Sequence, residues 1–204
     1  MLAFTAGVCA AVQSHDDLKM WSVENGWLYM LSVVIVIFMM CYMPCMYKFY
    51  RRVPINYIIM AVFCLAHSWV LAHITIFYKQ SIVIAAALIT MGMFIGLTLY
   101  ACCTKTDMTY MGGLLSTLTM SAVLILILFS FFMSKIGYLI MIGVLICLLS
   151  LWIVHDTQLI IGGKHKAAEL QLDDYIVGAM IIYSDILLAF MYILQLLGIT
   201  GGNS

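Results

Sequence analysis

Residues 152–198 read WIVHDTQLIIGGKHKAAELQLDDYIVGAMIIYSDILLAFMYILQLLG. Two long apolar segments flank a short polar loop, and each segment carries one carboxylate, Asp156 in the first and Asp185 in the second. The other acidic residues (Asp16, Asp17, Glu24, Asp107, Glu169, Asp173, Asp174) fall in stretches that read as loops or helix ends. An aspartate near the middle of a membrane-inserted helix costs roughly 2.5–3.5 kcal/mol, so it is expected to face the interior of a helix bundle and to have work to do.

Composition carries the membrane reading to the whole chain. It is 66% hydrophobic and 9% charged, where a soluble domain carries about 25% charged residues. The formal net charge is zero, so nothing points to nucleic acid or to a polybasic lipid-binding surface. A length of 204 residues fits a single transmembrane domain over residues 1–204, with no room for a separate soluble one. The 7 cysteines lie mostly inside apolar runs, without a CxxC or a Cys/His cluster. Neither a zinc site nor a disulfide framework follows, and no cofactor is expected.

Working outward, the chain reads as an all-α, polytopic membrane protein: a seven-transmembrane-helix bundle whose first helix is cut short. The helices fall near residues 1–13, 27–47, 54–78, 81–102, 110–133, 137–161 and 174–198. Residues 1–13 are too few to cross about 30 Å of hydrocarbon, which takes about 20 residues, so they read as a first helix missing its beginning. Residues 14–26 read as a polar, acidic loop. Aromatic residues mark both ends of the second span (Trp27 and Tyr29, then Tyr42 and Tyr47). Pro44 sits in its last turn. Pro54 opens the third span, where a helix tolerates proline.

Orientation follows from lysine and arginine in alternate loops. Lys48, Arg51, Arg52, Lys105, Lys164 and Lys166 fall on one side, and Lys19, Lys79 and Lys135 on the other. The richer side is expected in the cytosol, which puts the N-terminus there too.

Two carboxylates brought together in a low dielectric cannot both ionise cheaply, so the pair is expected to share a proton. That makes a proton-sensitive gate, a proton relay or a cation site. At about 1.5 Å per residue, Asp156 and Asp185 would sit at matching depths, roughly 15 Å from the cytosolic boundary, if the sixth helix runs on to Lys166. If it stops at Gly162, Asp156 is about 6 Å shallower and direct pairing needs tilt. The bland reading has each aspartate bonded separately to Thr, Ser, Tyr or His neighbours and merely fixing helix packing.

Other polar residues carry smaller expectations. His155 adjoins Asp156 but points about 100° away on the helix, so it reads as packing rather than as a couple. His67 and His73 are spaced by six and do not share a face; His67 is open between bordering a polar cavity and being a satisfied core histidine. Thr157 and Gln158 could bond neighbouring helices. Ser116, Thr117 and Thr119 of the fifth span, with His67 and the two aspartates, could line a polar path.

The motifs HDTQLIIGGKH and LDDYIVGAMIIYSDILLAFMYILQLLG closely resemble the closing motif of the transmembrane BAX inhibitor motif family, particularly its lifeguard branch. VENGWLYMLSV, RRVPINYI and GLTLYACCTKTDMTYMGGLL look like family positions in the right order, so the resemblance covers nearly the whole chain. It implies a seven-helix bundle in an intracellular membrane, endoplasmic reticulum or Golgi. It further implies a pH-sensitive calcium leak channel that lowers store calcium and opposes cell death, with calcium ions, protons and apoptosis-related membrane proteins as partners besides the lipid bilayer. The family's paired aspartates map onto Asp156 and Asp185, whose protonation sets whether the cytosolic side of the pore is closed and which would touch calcium transiently. The sequence departs from the family in three places. The first helix is short, His155 stands where an aromatic or aliphatic residue is usual, and His67 stands where several relatives carry glutamate. No arginine lies in the third helix to latch an aspartate, which leaves His67 or His73 as substitutes.

Competing classes find less support. An intramembrane aspartyl protease would need GxGD and a Pro-Ala-Leu element, but Asp185 lies in YSDI and the only prolines are Pro44 and Pro54. GxSxG and HExxH are absent as well, so no enzymatic activity is expected. A proton-coupled transporter lacks an evident inverted repeat. A non-conducting membrane regulator acting through protein contacts is the alternative to the channel.

Overall fold

A chain this apolar satisfies its backbone N–H and C=O groups in lipid by coiling into helices. The computed structural model describes residues 1–42, 47–129, 134–162 and 170–201, apart from the side chains at 47, 48, 128, 129 and 172. Among the described residues there are nine α-helices and no strand: α1 (Leu2–Ser14), α2 (Asp16–Glu24), α3 (Gly26–Tyr42), α4 (Tyr47–Tyr50), α5 (Ile55–Thr75), α6 (Gln80–Cys103), α7 (Gly112–Phe129), α8 (Lys135–Ile161) and α9 (Tyr175–Thr200). The expectations for Pro44, for Lys164 and Lys166, for the end of the fifth span and for the last three residues lie outside the described residues.

Five helical stretches are long and apolar enough to cross a bilayer: α5, α6, Thr109–Ile127 containing most of α7, α8 and α9. The pair α2 and α3, bent by 73°, makes a sixth candidate if counted as one span. The short apolar α1 has 13 residues. The all-helical, multi-span architecture is thus present, with five or six candidate spans among the described residues rather than a demonstrated seven.

The polar stretch expected to be a loop at residues 14–26 is mostly the helix α2. His15 is extended (φ −117, ψ 113), ending α1 and capping α2. Asp16 and Asp17 then fill the first turn, where the positive end of the helix dipole favours carboxylates. Inward contacts complete it: Trp21 meets Trp69 edge-on at 5.7 Å, and Ser22 Oγ lies 2.9 Å from His73 Nδ1.

Helix ends follow local chemistry. Pro54 is the N-cap of α5, as expected for a proline opening a span. Ser134 caps α8 by accepting from the Gly137 N–H at 3.2 Å. At its other end α8 stops at Ile161, because Gly162 takes φ 63, a left-handed conformation that glycine adopts at low cost. Helix α8 therefore ends one residue before Gly162.

The chain divides into two compact units, residues 1–83 with 172–183, and residues 84–171 with 184–204. In the first, α1 and α3 pack on α5, around Phe63, Ala72 and the polar but fully enclosed Thr75. In the second, α7 packs on α8. Leu149, Ile153 and Ala189 form a core cluster there, with Met93, Phe94, Leu97, Trp152, Leu188 and Tyr192 packed against it.

Candidate functional site

The two aspartates extend the core seam of the second unit. On α8, Leu149, Ile153 and Asp156 recur at the four- and three-residue steps that share one helix face. On α9, Asp185 lies one turn before Ala189. Where the apolar cluster of Leu149, Ile153 and Ala189 ends, the next turn of each helix supplies a carboxyl group. Both are buried, Asp156 at 8% and Asp185 at 7% exposure. Asp185 interacts with Asp156 through like-charge repulsion and a side-chain contact. Asp185 Oδ2 has no hydrogen bond to the described residues. Pairing occurs even though α8 ends at Gly162, the case in which it was least expected from depth alone.

His155 is not a bystander. Its Nδ1 lies 2.7 Å from Asp156 Oδ1, which corrects the reading of this residue as packing alone. The 100° step between neighbouring residues describes where their Cβ atoms point, and an imidazole is long enough to reach back across it. The ring also meets Trp152 edge-on, with centroids 5.2 Å apart. Thr157 is buried, and its Oγ1 has no hydrogen bond to the described residues. Gln158, fully buried, accepts from the Met108 N–H at 2.8 Å and donates to Thr106 O at 2.9 Å. Its side chain clasps the segment between α6 and α7.

The hydroxyls of the fifth span separate into two kinds. Ser116 donates to Gly113 O at 2.8 Å and Thr117 to Leu114 O at 2.9 Å, and both are exposed on α7. Both hydroxyls donate to carbonyls of their own helix. Thr119 turns inward and accepts from Trp152 Nε1–H at 2.8 Å.

His67 and His73 belong to the first unit and make their hydrogen bonds there. His67 Nδ1 lies 3.1 Å from Phe63 O, and its ring packs against Phe63 and Tyr183. These are the contacts of a satisfied core histidine. His73 meets Ser22 and stacks on Tyr29 with centroids 4.6 Å apart.

Two features of the first unit were not anticipated. Arg51 donates from Nε to Asp174 Oδ1 at 2.8 Å and from Nη2 to Oδ2 at 3.1 Å. Thr5 Oγ1 lies 2.8 Å from Ser68 Oγ and 2.7 Å from Tyr183 Oη, all buried. The ion pair had a signal in the sequence, since loop counting put the segments before α5 and α9 on one side. The hydroxyl knot had none.

No group of three or more His, Cys, Asp or Glu that could hold a metal ion occurs among the described residues. Among the described residues, Asp156 and Asp185 bring carboxyl oxygens to the seam, far fewer than the 6–8 oxygen ligands that calcium takes.

A multi-span helical protein with a buried carboxyl pair on adjacent apolar helices is the class this geometry defines. The chain belongs to the family described as inhibitor of apoptosis-promoting Bax1, whose profile matches residues 1–202. It is 27% identical over 202 residues to protein lifeguard 3 of Homo sapiens and 29% identical over 203 residues to that of Mus musculus, in each case 97% of this chain and 64% of the relative. To protein LIFEGUARD 3 of Arabidopsis thaliana it is 26% identical over 203 residues, 96% of this chain and 78% of the relative. The chain thus spans less than two thirds of the length of the two mammalian relatives. No solved structure matches it. Family and apolar helices together make it a multi-pass membrane protein.

Proposed function

We propose that this protein is a pH-sensitive calcium leak channel of an intracellular membrane, endoplasmic reticulum or Golgi, gated by Asp156 and Asp185 and involving no enzymatic step. The observation that carries this reading is the meeting of two buried carboxyl groups on adjacent apolar helices. A shared proton lets the pair sit together in a low dielectric. Its loss leaves two like charges that drive the seam apart and offer oxygen ligands to a passing divalent cation. The N-terminus is placed in the cytosol by the lysine and arginine distribution. A role in restraining cell death is supported by the family's description as inhibitor of apoptosis-promoting Bax1.

The test is calcium entry into proteoliposomes containing only this protein, across roughly pH 5–8, the range in which a proton shared by a buried carboxyl pair is expected to exchange. Wild-type flux should change with pH, and Asp156→Asn and Asp185→Asn should each abolish that dependence. A second reading, a non-conducting regulator acting through protein contacts, is favoured by the His155–Asp156 contact, which gives Asp156 a structural partner. Folded protein with no flux at any pH would select it.

A further inference from the structure

We propose that His155 is the positioning residue of the carboxyl pair: it holds Asp156 in place and ties it to the backbone of α7. The inference rests on the pair being the functional site and adds to it a residue and a helix.

Three contacts fix the imidazole. Nδ1 meets Asp156 Oδ1 at 2.7 Å, and the ring stands edge-on to Trp152 at 78°. On its far side, a Cβ added to Gly112 would fall 2.9 Å from His155 Nε2, closer than carbon and nitrogen approach in practice. Only glycine lets α7 come this near. Trp152 is fixed in turn, through its indole N–H, to Thr119 Oγ1 at 2.8 Å. Gly112 and Thr119 stand seven residues apart, two turns along one face of α7, and Leu115 between them is 1% exposed. One face of α7 therefore holds Trp152 and abuts the His155 ring that meets Asp156.

The chemistry follows from the donor inventory. With Asp156 ionised, its carboxylate oxygen accepts and His155 Nδ1 carries the hydrogen. A donor to a charged acceptor is among the stronger neutral-side-chain contacts, and it removes the free rotation of a carboxyl whose partner across the seam is Asp185. The opposite edge of the same rigid ring abuts α7. Displacing α7 along α8 therefore turns the ring and alters the bond to Asp156. An aromatic hydrocarbon at position 155 would fill the space and transmit nothing.

The experiment has two arms. In the first, protein labelled with nitrogen-15 histidine is studied in lipid at one neutral pH, with the His155 signal assigned by its loss in His155→Asn. The expected signal is the Nδ1–H tautomer, displaced in both Asp156→Ala and Gly112→Ala. A signal indifferent to both changes overturns the proposal whether or not the protein conducts. In the second arm, His155→Phe should slow calcium entry about tenfold, equivalent to about 1.4 kcal/mol of barrier, while His155→Asn, whose amide N–H replaces Nδ1–H, should recover to within about threefold of wild type. Wild-type flux in His155→Phe, or equal damage in both variants, overturns positioning through a hydrogen bond. A wild-type protein that does not conduct removes the channel reading, and the first arm then decides whether His155 holds Asp156.

Discussion

Removing Arg51 should unfasten the start of α9. Its guanidinium grips Asp174 through two hydrogen bonds at 2.8 and 3.1 Å, the bidentate geometry that makes arginine–carboxylate pairs strong. The two side chains differ sharply in exposure, Asp174 at 0% and Arg51 at 30%. Breaking a fully buried pair by removing one partner costs roughly 3–5 kcal/mol, because the other charge is stranded. An exposed pair contributes at most about 1 kcal/mol. With one partner enclosed and the other partly solvated, Arg51→Ala should cost about 2–3 kcal/mol, less about 0.5 kcal/mol from the dipole of α9 that still faces Asp174. At roughly 2–4 °C per kcal/mol for a chain of this size, the melting temperature should fall by about 3–10 °C. Thermal unfolding in detergent, followed by tryptophan fluorescence, measures it. Arg51→Lys should fall between, keeping the charge but not the fork. The reasoning fails if Arg51→Ala melts within about a degree of wild type. It fails equally if the losses in Arg51→Ala and Asp174→Asn simply add in the double variant, because a direct pair must be non-additive.

Further outcomes follow from the same contacts. Gln158→Leu, which strands the Met108 N–H and Thr106 C=O, should loosen that segment by roughly 1–3 kcal/mol, read as faster deuterium exchange at the Met108 amide. Thr5→Val should cost about 1–2 kcal/mol by leaving the Ser68 and Tyr183 hydroxyls short of a partner, and Thr5→Ser should restore most of it in the same melting assay. Ser116→Ala and Thr117→Val should stay within about 0.5 kcal/mol of wild type and leave calcium flux unchanged, whereas Thr119→Val, which deprives Trp152 Nε1–H of its acceptor, should lose about 1–2 kcal/mol in chemical denaturation.

How far the sequence leads depends on the physics behind each signal. A carboxylate amid twenty apolar residues is costly enough to announce itself, so Asp156 and Asp185 stand out without any structure. Hydropathy locates α5, α6, α8 and α9 for the same reason, since lipid admits few alternatives to a helix. The failures have different causes. The helix α2 is short and polar, and its inward contacts, Trp21 on Trp69 and Ser22 on His73, are tertiary facts that composition does not carry. The His155–Asp156 contact was missed because a helical wheel records where side chains leave the backbone, not where they end. Ser116 and Thr117 show how little a hydroxyl on a membrane helix announces by itself, since it can satisfy itself on the carbonyl three residues back. The Thr5–Ser68–Tyr183 knot joins three common residues at no fixed spacing.

That knot also imposes an order on biosynthesis. Ser68 follows Thr5 by 63 positions and Tyr183 by 178. At roughly 5–20 residues per second, a ribosome delivers Ser68 about 3–13 s after Thr5 and Tyr183 about 9–36 s after it. The short α1 can dock on α5 early, through the Thr5–Ser68 contact and the Gln13 Nε2 bond to Thr75 O at 3.0 Å, and gains the Tyr183 hydroxyl only once α9 is made. A nascent chain stalled short of Tyr183 would hold α1 on α5 without the third member of the knot, and its Thr5 and Ser68 hydroxyls would stay short of that partner until α9 is inserted.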